Sequence, residues 1–163
     1  MVKLMGAVMT GFACAYFGFK LSLSLKKRIK SLTDICTSLE MLESEMSFTA
    51  EKLKRAFLRV DRNGLFTSAA EEIEDKGIKK AWNNAVNKSQ RNLCLTDADC
   101  SAIRMLGETI GKTDLDNQIK HIKYVKSAVM VQRDSAQSEY DRFGRVYRSG
   151  GVLIGLMIII VLL

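Results

Sequence analysis

The sequence predicts an all-α protein, a bundle of about six helices flanked by an N-terminal and a C-terminal transmembrane helix. Three observations predict it. The 163 residues contain no proline, and Leu, Ala, Lys, Glu and Met, which lose little rotamer freedom in a helix, are abundant. Apolar residues recur at spacings of three and four through the middle of the chain. Uncharged apolar runs occupy both ends. With 47% apolar and 26% charged residues, the composition suits one folded core rather than a disordered chain. The expected organisation is an anchor over 1–25, a helical domain over 26–146 and a second anchor over 147–163.

The first element is the run Leu4 to Phe19, which extends through Leu21, Leu23 and Leu25 if Lys20 snorkels toward lipid headgroups. Ala7, Gly11 and Ala15 recur every four residues, as in a small-residue helix-packing seam, although small residues are also simply frequent in membrane helices. A signal peptide cleaved at Ala13-Cys14-Ala15 is the competing reading. Against it, the cleavage site would precede Tyr16, Phe17 and Phe19, and the strongest basic cluster, Lys26, Lys27, Arg28 and Lys30, follows the run.

A helix growing from this anchor places Ile29, Leu32, Cys36, Leu39, Leu42 and Met46 on one face and runs to about Phe48. Thr49 is a cap for a second helix with Leu53, Ala56, Phe57 and Val60 inward, ended by the turn signal Asn63-Gly64. Leu65, Phe66, Ala69 and Ile73 form a third, ended at Gly77, and Ile78, Trp82 and Val86 a fourth. A polar loop is expected at Asn87 to Asn92. Thr96-Asp97-Ala98-Asp99 resembles a capping box, opening a fifth helix with Cys100, Ile103, Leu106 and Ile110 on one face and Gly111 as its stop. Thr113-Asp114 opens a sixth through Leu115, Ile119, Ile122, Val125, Val129, Ala136, Tyr140 and Phe143, leading into the apolar run Gly150 to Leu163. The first and last helices should therefore run side by side. That last run covers only about 21 Å of a hydrocarbon core roughly 30 Å thick, and Val146 and Tyr147 can extend it.

The net charge of +7 is distributed for a membrane rather than for nucleic acid. The basic residues cluster after the first apolar run and, as Arg142, Arg145 and Arg148, before the last, and no aromatic-basic stripe suited to stacking bases is present. Both clusters lie on the side of the middle domain, so the positive-inside rule keeps that domain in the cytoplasm.

The chemistry expected of the chain is sparse. Cys14, Cys36, Cys94 and Cys100 form no C-x-x-C pair and His121 is the single histidine, so neither a metal site nor a cofactor is predicted; the thiols read as reduced and structural. Without a phosphate-cradling loop or nucleophile elbow, the chain is not read as an enzyme. Glu43 and Glu45, two apart on a helix, cannot share a face as a carboxylate pair. Gly107 inside a helix costs about 1 kcal/mol relative to Ala, which suggests close approach of another backbone, from the same bundle or from a partner.

Three segments carry a family resemblance. Leu42-Glu43-Ser44-Glu45-Met46-Ser47-Phe48 resembles the L-E-x-E-I-x-Y region of the stage III sporulation protein AB family of endospore-forming bacteria. Leu106-Gly107-Glu108-Thr109-Ile110-Gly111 resembles its F-G-E-T-L-G segment and Gln118-Ile119-Lys120-His121-Ile122 its Q-x-K-H-I. Order, spacing and the two terminal anchors agree, so the likeness spans essentially the whole chain. Thr49-Ala50 replaces the family's Thr-Pro, and the segment Asn63 to Leu95 matches no motif.

The resemblance implies a role in the channel, or feeding-tube, complex between mother cell and forespore. The family is similar to the F-type platform protein of type II secretion and type IV pilus machines. By that analogy the chain would sit in the mother-cell membrane around the forespore and offer its cytoplasmic domain to a secretion-type ATPase, with other membrane proteins of the complex and the lipid bilayer as partners and no nucleic acid. Glu43, Glu45, Glu108 and His121 are the polar motif residues expected at a partner interface. Homo-oligomerisation is left open. The competing readings are a membrane-tethered scaffold or signalling bundle unrelated to sporulation, and a secreted enzyme held by its C-terminal tail.

Overall fold

Two long helices carry the two ends of the chain. In the computed structural model, which describes residues 2–44, 50–110 and 115–162, α1 runs Val2–Ser44 and α7 runs Leu115–Leu162. Within the helices, the side chains at 2–5, 7, 8, 10–12, 14, 15, 50–52, 115, 148, 152, 158, 159, 161 and 162 lie outside the description. Between the long helices come α2 (Ala50–Val60), α3 (Leu65–Lys76), α4 (Ile78–Leu93), α5 (Asp97–Arg104) and the single turn α6 (Leu106–Thr109). The described residues contain no strand, and the class is all-α as the sequence predicts.

Absence of proline lets α1 and α7 continue for 43 and 48 residues without losing a backbone donor. Their mid-helix hydroxyls do not break them. Thr33, Thr37 and Ser127 each donate to the carbonyl four residues earlier, at 2.9, 3.1 and 3.0 Å, so the helix itself satisfies them.

The chain divides into two compact units, residues 1–27 with 135–163 and residues 28–134. In the first unit, the N-terminal part of α1 packs on the C-terminal part of α7, the pairing expected of the first and last helices. The two helices approach closely at Gly18, where a Cβ would run into the Tyr147 carbonyl oxygen and come within 3.1 Å of the Gly151 Cα. Ser22, Ala136, Gly144 and Gly155 are buried in this unit, and small side chains such as these let two helices come near. The seam read at Ala7, Gly11 and Ala15 involves side chains outside the described residues. Phe143, expected inward, is 39% exposed; the buried series advances from Ala136 to Gly144, across whose face the Tyr140 ring lies, and this rotates position 143 outward. Among the described residues no helix is long and apolar enough to cross a membrane.

The second unit is the bundle core. Leu32, Cys36, Leu39 and Leu42 of α1, Leu53, Ala56, Phe57 and Val60 of α2, Leu65, Phe66 and Ala69 of α3, and Ile122, Val125 and Val129 of α7 are all buried, following the periodicity read from the sequence. Asp61 shapes the turn into α3, accepting from the backbone N–H groups of Asn63, Gly64 and Thr67 at 3.2, 3.0 and 3.1 Å, while Gly64 takes the φ of +83° the turn requires.

Two expectations are corrected. Asn87 to Asn92 is not a loop: α4 continues through it to Leu93, since Lys88, Gln90 and Arg91 are good helix formers and Leu93 repeats the Val86 face two turns on. The helix then closes in a Schellman turn, Leu95 N–H donating to the Gln90 carbonyl at 2.9 Å, with Cys94 left-handed at φ 56°. The fifth helix, read as continuous to Ile110, is interrupted at Met105. The Thr49 and Thr113 caps, the Gly111 stop, Met46 and Phe48 lie outside the described residues.

One ion pair ties α1 to α5. Arg28 Nε donates to Asp99 Oδ2 at 2.7 Å and Arg28 Nη2 to Oδ1 at 2.9 Å, with side-chain exposures of 8% and 0%. Asp99 is also the third residue of the capping box, accepting from Thr96 N–H at 2.8 Å while Thr96 Oγ1 accepts from Asp99 N–H at 3.3 Å. Arg28, counted with the basic cluster in sequence, is thus a bundle residue, leaving Lys26, Lys27 and Lys30 as the exposed members of that cluster. Burial works to raise the Asp99 carboxyl, but the hydrogen bonds from Arg28 and Thr96 and the Arg28 charge prevail and hold it below the ordinary carboxylate range. A folded-state pKa below the unfolded value gives stability that is complete above the unfolded pKa, about 4, and lost as pH falls through the folded pKa. Glu72, held at about 2 by hydrogen bonds from Lys88, Asn84 and Lys76, also loses its charge in acid. Urea unfolding of the wild type and Asp99→Asn therefore isolates the buried pair. We expect the variant to lose about 3–5 kcal/mol at neutral pH, with the gap narrowing below pH about 4 as Asp99 is protonated.

Candidate functional site

The interruption between α5 and α6 gathers the most distinctive motif residues. Met105 keeps helical dihedrals, φ −54° and ψ −31°, yet the regular ladder lapses around it because side chains from two other helices engage its carbonyls. Trp82 of α4 donates Nε1–H to the Ile103 carbonyl at 2.8 Å. His121 of α7 places Nε2 2.8 Å from the Met105 carbonyl; a carbonyl only accepts, so Nε2 carries the hydrogen. Two carbonyls of one short segment are thus held from opposite partners, and α6 restarts with Glu108 N–H on Met105 O at 3.2 Å.

Gly107 is the seat of the Trp82 indole. A Cβ there would meet Trp82 Cδ1 at 2.8 Å and its Cβ at 3.0 Å. The close approach expected of this glycine therefore comes from the same bundle, but from a ring rather than a backbone: a flat indole needs a surface without a Cβ to lie on. Trp82 cannot easily retreat. Its ring packs on Phe66 and Phe57 with centroids 5.0 and 5.6 Å away, and Phe57 meets Phe66 edge-on at 5.3 Å.

The four polar motif residues occupy different settings. Glu43 of α1 lies 3.4 Å from Lys123 and 3.6 Å from Lys126 of α7, and its side chain is 23% exposed. Glu108 is open to solvent, with Lys79 at 3.8 Å. His121 is half-buried on the Met105 carbonyl. Glu45 lies outside the described residues. Glu43, Glu108 and His121 are thus engaged with three different parts of the chain, Lys123 and Lys126, Lys79 and Met105.

Cys36 and Cys100 are free and buried, and burial pushes both thiols up, leaving them poor nucleophiles and poor metal ligands; Cys14 is outside the described side chains. Among the described residues no group of three or more His, Cys, Asp or Glu side chains could hold a metal ion. A hollow of about 940 Å³ in the first unit is lined by Ser22, Tyr140, Asp141, Gly144, Arg145 and Ser149 among others, and among the described residues none of the three family motifs lines it. Sequence reasoning missed the Arg28–Asp99 pair and the Trp82 hydrogen bond. Partners 71 and 21 residues apart leave no periodic signal, although Asp at the third position of a capping box and the only tryptophan of the chain both mark residues that seek a polar partner when buried.

Removing either donor from the α5–α6 segment strands a carbonyl. Trp82→Phe and His121→Ala should each cost about 1–3 kcal/mol, the former at the upper end because the Ile103 carbonyl is buried; chemical denaturation monitored by helical circular dichroism measures both.

With this geometry in place, three similarities can be reported. The model of the family "Stage III sporulation protein AB" matches residues 3–163. The Stage III sporulation protein AB of Bacillus subtilis (strain 168) is 26% identical over 172 residues, covering 100% of both chains. A solved structure of a stage III sporulation protein AB superposes with a TM-score of 0.60 at 20% identity, covering 71% of this chain and 97% of that one, a likeness of fold. The match runs through the Gly107 seat, the His121 contact and both long helices, and the chain belongs to the stage III sporulation protein AB family, whose members are sporulation proteins.

Proposed function

We propose that this chain is a non-enzymatic platform of the mother cell to forespore channel complex. Both its terminal helices are held in the mother-cell membrane around the forespore, and its middle domain presents a cytoplasmic surface to a secretion-type ATPase. The observation that carries the reading is the surface of the first unit. Met9, Tyr16, Phe17, Leu153, Met157 and Ile160 are exposed, Met9 at 72% and Ile160 at 75%, on a unit built from only two helices that have no interior in which to hide them. Large apolar side chains exposed in this number call for lipid or protein around them.

Charge supports the orientation. Lys26, Lys27 and Lys30 are exposed where α1 leaves its apolar run, and Arg142 and Arg145 are exposed where α7 approaches its own; basic residues at these positions hold the intervening domain on the cytoplasmic side. Neither run is a generous span. Lys20 has to snorkel at one end and Arg148 at the other, and close packing at Gly18 lets the two short apolar runs share a single membrane-embedded surface. In this role the α5–α6 motif serves architecture: it stiffens the domain on which an ATPase would pull.

Of the four polar motif residues, Glu108 presents the most open carboxylate and is the first interface position to test, with Glu43 as a second that would exchange Lys123 and Lys126 for a partner. A phosphatase reporter fused after Leu163 is expected to be active on the far side of the membrane while a fluorescent protein within the middle domain stays cytoplasmic; an inactive phosphatase contradicts the topology. Glu43→Arg with Glu108→Arg is expected to weaken ATPase binding and lower spore yield, and unchanged binding removes these residues from the interface.

A further inference from the structure

The hollow of about 940 Å³ in the first unit has the size of a ligand cleft, about 300–1,000 Å³, and three polar groups on its wall have no protein partner. Ser22 of α1 is nine-tenths buried, yet its hydroxyl has no hydrogen-bond partner among the described residues. Hydroxyls elsewhere in the long helices turn back to a carbonyl of their own helix, as those of Ser24, Ser127 and Ser149 do at 2.8, 3.0 and 2.9 Å. Among the described residues no fully enclosed polar side-chain atom lacks a partner, so the Ser22 oxygen opens onto the hollow it lines. The hydroxyl of half-buried Tyr140 is likewise without a partner, and the guanidinium of Arg145 is in no ion pair among the described residues. Buried polar groups are as a rule hydrogen-bonded, and these three are all donors.

The wall is also graded along α7. Asp141, Arg145, Ser149 and Leu153 all line the hollow, and successive residues four apart share one face of a helix, here over about 18 Å. The order along that face is acid, base, hydroxyl, apolar. Asp141 accepts from Gln137 Nε2 at 3.0 Å through Oδ1, which leaves its second carboxylate oxygen to take another donor. Ser149 donates to the Arg145 carbonyl at 2.9 Å and does not compete for the guanidinium. Leu153, 65% exposed, begins the apolar surface beyond. A molecule that satisfies this wall carries a hydrogen-bonding cation, then an anion rich in acceptor oxygens, then a hydrocarbon chain.

We propose that the hollow binds one phosphatidylethanolamine molecule, a reading that rests on the membrane placement of this unit proposed above. Arg145 and the hydroxyls of Ser22 and Tyr140 donate to the phosphate and ester oxygens, Asp141 accepts from the ammonium, and an acyl chain runs over Leu153. Arginine matches phosphate in charge and in the geometry of its fork. The order fits the orientation as well: α7 enters the bilayer from the domain side, so Asp141 and Arg145 lie at the headgroups and Leu153 deeper. Phosphatidylglycerol brings no cation to Asp141, and the methyl groups of phosphatidylcholine leave its ammonium no N–H to donate. Inorganic phosphate leaves both Asp141 and Leu153 unmatched.

The test titrates the full-length chain in detergent micelles with phosphatidylethanolamine, phosphatidylglycerol, phosphatidylcholine or inorganic phosphate, and counts bound molecules by native mass spectrometry. One phosphatidylethanolamine should be retained, about fivefold or more tightly than either other lipid. Arg145→Gln should weaken its binding about tenfold or more and Ser22→Ala about threefold to tenfold, while Asp141→Asn should abolish the preference among the three lipids. Circular dichroism checks that the variants remain folded. Equal retention of the three lipids by the wild type, or undiminished binding by both Arg145→Gln and Ser22→Ala, overturns the proposal. Displacement of the lipid by inorganic phosphate overturns it too, since the hollow is then a phosphate site. Carbonate extraction of cell membranes tests the underlying placement separately: a chain that stays in the membrane pellet but shows no lipid preference refutes the hollow alone, and a chain released into the supernatant refutes both.

Discussion

The bundle depends on one seat, the indole of Trp82 laid against the bare backbone of Gly107. Elements from four helices converge on it. The indole N–H takes the Ile103 carbonyl at 2.8 Å, which fixes α4 to the end of α5. The ring packs on Phe57 and Phe66, which brings α2 and α3 into the same cluster. His121 then holds the Met105 carbonyl, two residues on, from α7. A side chain at position 107 would lift the indole, lengthen its hydrogen bond and loosen its two aromatic contacts, with Phe57 and Phe66, at once. A glycine that weakens a helix by about 1 kcal/mol in isolation is thereby the condition for a core in which α4, α5, α6 and α7 meet.

A second constraint works from the other side of α5. The Arg28–Asp99 pair is buried, so it stabilises less by attraction than it would destabilise if halved. Its value is in register. A bidentate geometry, with both carboxylate oxygens engaged, admits one placement of α5 along α1, and the same carboxylate starts the helix by capping it. Between them, the tryptophan seat and the ion pair fix both ends of the eight-residue α5, too short to be stable without such contacts.

Much of this architecture was legible in the sequence because helices announce themselves by period. The inner faces of α2 and α3, most of the α1 and α7 faces, the capping box at Thr96 and the turn at Asn63-Gly64 were all read from spacing and turn chemistry. Two kinds of feature were not. Polar residues such as Asn87, Lys88 and Asn92 look like a loop in sequence, yet α4 continues through them as a solvated helix, with Glu72 meeting Lys88 on its outer side. Contacts between residues far apart in the chain leave no periodic trace, so Arg28 reads as one more member of a basic cluster until Asp99 is seen beside it. The motif Leu106-Gly107-Glu108 was singled out correctly as unusual, and its unusual residue turned out to serve an indole. Of the polar motif residues expected at an interface, Glu43, Glu108 and His121 have neighbours within the chain at Lys123 and Lys126, Lys79 and Met105.

A double-mutant cycle of Gly107→Ala with Trp82→Leu tests the central claim most directly, read as unfolding free energies of the two single variants and the double. If the glycine exists to seat the indole, Gly107→Ala is costly beside tryptophan and much less so once leucine, which can move aside, replaces it; the account predicts a coupling of about 1 kcal/mol or more. Strictly additive costs would mean that Gly107 and Trp82 contribute independently, and the indole seat would not be what the bundle depends on.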